Sequence, residues 1–72
     1  MSKLVLLLNA IKNVIGEENY NKFSSEYSLT TTGGYILSTS EKVVLRTNDA
    51  YYVLEYVCNK FNINSNNIDG IL

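Results

Sequence analysis

Between Asn48 and Phe61 the apolar positions fall on one helical face. Ala50, Val53, Leu54, Val57, Cys58 and Phe61 recur at i, i+3, i+4, i+7, i+8 and i+11. Asp49, Tyr52, Glu55, Tyr56, Asn59 and Lys60 take the other side. Thr47 or Asn48 is expected to cap the start, because a short side-chain oxygen accepts a hydrogen bond from an amide of the first turn. Asp49 then lies at the positive end of the helix dipole and Lys60 at the negative end. Asn62 is placed to adopt the left-handed conformation that stops such a helix.

A second helical period runs from a Ser2 cap to about Ile15, with Leu4, Leu7, Leu8, Ile11, Val14 and Ile15 as its core stripe. Asn9, Lys12 and Asn13 form the polar side. Val5 and Leu6 widen the apolar arc beyond what one contact needs. They are read either as packing under the C-terminal tail or as a self-association surface, and the run from Lys3 to Leu8 also fits a buried strand. Gly16 ends this helix. Glu17 and Glu18 open another to about Tyr27, with Tyr20, Phe23 and Tyr27 on one side.

From Ser28 to Thr47 the pattern changes to β-branched residues and turn residues. Gly33-Gly34 supplies the positive φ values of a tight hairpin, and a second reversal falls near Ser40–Lys42. Val43 and Leu45 alternate with Val44 and Arg46, so one face of that strand is expected to be buried. The fold class is therefore α+β. An N-terminal helix, read as two helical segments, precedes a three-stranded antiparallel β-meander, and a C-terminal helix packs on one sheet face. Residues 1–72 are read as one small domain, with 63–72 as a flexible C-terminal tail from which Ile63, Ile68, Ile71 and Leu72 could pack back.

Composition narrows the function. With no histidine and one cysteine, the chain lacks the usual neutral-pH general base, an internal disulfide and a nucleophile–base pair. No phosphate-binding glycine loop is present. Asn62, Asn64 and Asn66 alternate as in a calcium loop, but Asn67 stands where glycine makes the turn, and neutral asparagines add no negative charge. The expectation is no enzyme, no cofactor and no metal. Leu4–Leu8 is too short for a signal-peptide core, and no run approaches a membrane span, so a cytoplasmic setting is expected and no membrane partner. Frequent Asn, Ile, Tyr and Lys beside a single arginine, Arg46, suggest an AT-rich genome: a low-GC bacterium, its phage or a mobile element.

The predicted order helix–strand–strand–strand–helix resembles the double-stranded-RNA-binding domain. The sheet followed by a helix is similar to the arm-binding domains of phage integrases. Both resemblances are of element order alone. The RNA module meets phosphates with lysines at the start of its last helix, where this chain reads Asn48-Asp49-Ala50. Net charge is −1, which gives no global pull on nucleic acid.

Three functions follow, in order of preference. The first is a small non-catalytic protein-binding module, such as a phage or mobile-element accessory that inhibits or regulates a host protein, using Tyr52, Tyr56, Glu55, Asp49 and Asn59. The second is a nucleic-acid-binding regulator that uses Lys42, Arg46 and Tyr35 on the sheet and hairpin. The third is a structural homo-oligomer, expected as a dimer, joined through Val5 and Leu6.

Overall fold

The computed structural model of the protein describes residues 2–64. Its elements are α1 (Lys3–Ile15), α2 (Glu17–Glu26), β1 (Ser28–Thr30), β2 (Tyr35–Ser38), β3 (Val43–Thr47) and α3 (Ala50–Lys60). The strands form one antiparallel sheet in chain order, β1-β2-β3. Helix α3 packs on β2 and β3, and α1 lies against both α2 and α3. The α+β architecture is the one the sequence predicts.

Helix α1 begins where the Ser2 hydroxyl accepts the Val5 N–H at 3.2 Å. Lys3–Leu8 is thus helical and not a strand. The buried stripe is Leu7, Ala10, Ile11 and Ile15, while Leu4, Leu8 and Val14 lie half-buried along its margins. Ala10 joins the stripe although so small a side chain barely marks a hydrophobic pattern. Gly16 stops α1 and starts α2 with no linker between them. Its φ of 88° is a conformation that a side-chain-bearing residue adopts only under strain. In α2 only Phe23 is buried, and the helix is anchored by an aromatic row. Phe23 lies 6.1 Å from Tyr20 and 5.4 Å from Tyr27, measured between ring centroids.

Gly33 and Gly34 turn the first hairpin with φ of 67° and 119°. The second hairpin turns at Thr39–Lys42. There the Thr39 hydroxyl accepts the N–H groups of Glu41 and Lys42 at 3.2 and 3.3 Å. The ladder between β2 and β3 is irregular at Leu37/Ser38: Leu37 faces Leu45 and Ser38 faces Val43. This bulge leaves Val44 without a partner and breaks the expected alternation. Val44 and Leu45 both pack on the core, and Val43 is 48% exposed.

Asp49, not Thr47 or Asn48, caps α3. Its carboxylate accepts the Tyr51 N–H at 3.0 Å, and the Thr47 hydroxyl accepts the Asp49 N–H at 3.2 Å. Three consecutive cap-competent residues left the register open, and the helix takes the last. At the other end Asn62 has φ 56°, as expected. The Ile63 N–H donates to the Cys58 carbonyl at 2.8 Å and the Asn62 N–H to that of Asn59 at 3.3 Å, the paired bonds of a left-handed stop. Ile63 packs against the core. The readings of Asn66 and Asn67 and of the tail's Ile68, Ile71 and Leu72 lie outside the described residues.

The centre of the core is Ile11 from α1, Leu37 from β2, and Val53, Leu54, Val57 and Cys58 from α3. Burial of each large aliphatic side chain stabilises the fold by about 1.5–3 kcal/mol. Among the described residues no polar or charged side chain is buried, so no desolvated charge offsets that gain.

Candidate functional site

Two residues, Asn48 and Asp49, separate β3 from α3. So short a link lays the helix beside its own strand and opens a groove of about 370 Å³ between them. The helix contributes Tyr52, Glu55, Tyr56 and Asn59, which at i, i+3, i+4 and i+7 make one continuous stripe. The strand contributes Leu45, Arg46 and Thr47.

The two tyrosines of the stripe differ in freedom. Tyr56 is held on two sides: the Tyr27 ring meets it edge-on at 6.3 Å, and the Lys60 ammonium lies 5.4 Å from its centroid. Tyr52 meets the Tyr51 ring edge-on at 5.6 Å and remains 52% exposed. Burial pushes the Tyr27 hydroxyl above its ordinary pKa, and the neighbouring Tyr56 and Glu26 add to the shift. Tyr27 therefore stays neutral at physiological pH.

Of the residues predicted for protein contact, Tyr52, Tyr56, Glu55 and Asn59 come together in this groove. Asp49 stands apart from the groove lining, with its carboxylate engaged in capping α3. The residues predicted for nucleic acid are dispersed. Arg46 lines the β3–α3 groove and Lys42 ends the second hairpin turn. Tyr35 lines a second groove of about 460 Å³, with Leu6, Leu7 and Ala10 of α1 and Ala50 of α3. Leu6 and Val5, predicted for self-association, are 54% and 44% exposed on α1.

Sequence reasoning did not join Arg46 to the tyrosine stripe. The available signal was the two-residue link after β3, which forces strand and helix into adjacency.

Chemically the groove suits recognition. It offers two phenol rings, an amide and a carboxylate beside the β3 edge that carries Arg46. Cys58 is fully buried in the core, where burial raises its thiol pKa and keeps it protonated. Among the described residues no three His, Cys, Asp or Glu side chains are grouped to hold a metal ion. No described helix is long and apolar enough to cross a membrane. The chain matches no protein-family model, no curated protein and no solved structure.

Proposed function

We propose that this chain is a small non-catalytic protein-binding module that acts through the β3–α3 groove. One observation supports the reading most: Tyr52, Glu55, Tyr56 and Asn59 line a single groove, with Tyr52 half in solvent. Exposed tyrosines offer large, rigid contact area with a polar tip and are enriched where proteins meet. A reducing, cytoplasmic setting suits the free Cys58 thiol. The AT-rich residue usage suits a phage or mobile-element accessory that regulates a host protein.

The test is affinity capture from host lysate with the tagged chain, with and without nuclease. The comparison is a Tyr52→Asp/Glu55→Arg variant whose melting temperature is unchanged. The expected outcome is a stoichiometric protein that resists nuclease and is lost from the variant. Retention by the folded variant would rule out this surface.

A second reading, nucleic-acid binding, draws support from Arg46 lying beside two tyrosines in one groove. It requires that co-purifying material disappear with nuclease and that affinity fall steeply with salt. Recovery of the tagged chain with untagged copies alone would favour a homo-oligomer joined at the exposed Val5 and Leu6.

A further inference from the structure

We infer that the groove takes its partner as an added β-strand: an extended peptide with an apolar–acidic–apolar pattern that pairs with the outer edge of β3. This rests on the protein-binding reading and specifies its mode. The sheet order leaves β3 at an edge, and among the described residues only β2 pairs with it. Alternate residues of an edge strand direct N–H and C=O away from the sheet, and such groups are a ready template for another strand. The other edge, β1, has only three residues.

The helix side of the groove is somewhat longer than the strand side: from Tyr52 to Asn59 the helix rises about 10 Å, and three strand residues span about 7 Å from first to last. Those three are Leu45, Arg46 and Thr47, the regular part of β3 beyond the bulge. The side-chain pattern follows from the ladder. Leu45 pairs with the fully buried Leu37, which places it on the core side of the sheet. Arg46 pairs with Ile36 and so takes the opposite face. A peptide residue opposite Arg46 shares that outer face, and its two neighbours point towards Tyr52 and Tyr56.

The Arg46 side chain has no ion pair or hydrogen bond among the described residues, so a carboxylate on the incoming strand would be its first partner. The tyrosine rings would receive the apolar neighbours. This is strand addition beside a helix, with backbone bonds giving affinity and alternate side chains giving selectivity.

The test pans a random heptapeptide display library against the full chain and then studies the best synthetic peptide. Apolar–acidic–apolar sequences are expected. Bound peptide should slow hydrogen exchange at alternate β3 amides. N-methylation of the peptide at alternate residues should weaken binding tenfold or more in one parity and little in the other. Arg46→Glu should weaken binding about tenfold in a folded chain.

Failure to recover any peptide, equal tolerance of N-methylation at every residue, or protection in the free chain of the β3 amides that point away from β2 would each overturn strand addition. Loss of the lysate partner on the Tyr52→Asp/Glu55→Arg change, with β3 amides unaffected by that partner, would leave the protein-binding reading standing and remove only its mode. A partner indifferent to that change would remove the reading itself.

Discussion

Helices α1 and α3 carry similar apolar stripes and similar side-chain caps, yet they are covered to different degrees. In α3, Val53, Leu54, Val57 and Cys58 are all at most 1% exposed, and both ends are closed by hydrogen bonds. In α1, Leu7 and Ile11 are covered, while Val5 and Leu6 next to them stand about half in solvent. The stripes do not explain this. The neighbours do: α3 lies on two strands and on α1, whereas the main packing partners of α1 are helices. A helix on a sheet is covered across a broad front, and a helix among helices only along its lines of contact. The polar side of α3 is thereby free for recognition, because its apolar side is fully used.

The sharpest test of this difference is truncation. Leu54→Ala should cost about 3 kcal/mol, and Leu6→Ala no more than about 0.5 kcal/mol, in urea denaturation. Similar losses would mean that Leu6 is covered in solution and that the two helices do not differ.

The next test concerns the glycine at each helix. A methyl group on Gly34 would sit 2.5 Å from Asn48 Oδ1 and 3.0 Å from the Thr47 carbonyl, at the approach to α3. Gly16, at the end of α1, has open space around it and only its positive φ to maintain. Gly34→Ala should therefore cost about 2–3 kcal/mol and Gly16→Ala about 1 kcal/mol. Thermal melts would check the order, and the reverse order would place the tighter joint at α1.

Cap removal is milder. Asp49→Ala should lower stability by about 1 kcal/mol and Ser2→Ala by about 0.5 kcal/mol, because Ser2 holds a more exposed first turn. Equal losses in paired denaturation curves would show that the two starts are equally fixed.

The smallest effect is pH-dependent. Tyr27, packed on Tyr56 of α3, has a higher pKa in the fold than in the unfolded chain. As pH rises, the unfolded chain therefore loses this proton first. The contribution is complete below the ordinary tyrosine value near 10 and declines as pH climbs through it. Tyr27→Phe should flatten the alkaline limb of a stability–pH profile. An unchanged limb would dissociate Tyr27 from it.

Helix α3 was almost wholly legible in the sequence, because its period, its charged ends and its left-handed stop all coincide within fourteen residues from Asn48 to Phe61. Its cap was misplaced by one or two positions, since Thr47, Asn48 and Asp49 all have suitable oxygens. The face of β3 was not legible. A bulge arises from how two strands fit over a core, and nothing in the run from Val43 to Thr47 announces it. The tyrosine stripe was visible as the side of α3 left over by the core. Its union with Arg46 was not, because residue pattern describes single elements and a groove belongs to two.

The order β1-β2-β3, followed after two residues by α3, also bears on how the chain is made. Almost every partner lies nearby in sequence, and the contact of α1 with α3 is the one that closes the chain from end to end. Synthesis releases α1 before α3. Helix α1 therefore emerges with Leu7 and Ile11 uncovered by α3 and waits for residues 50–60 before its core is complete.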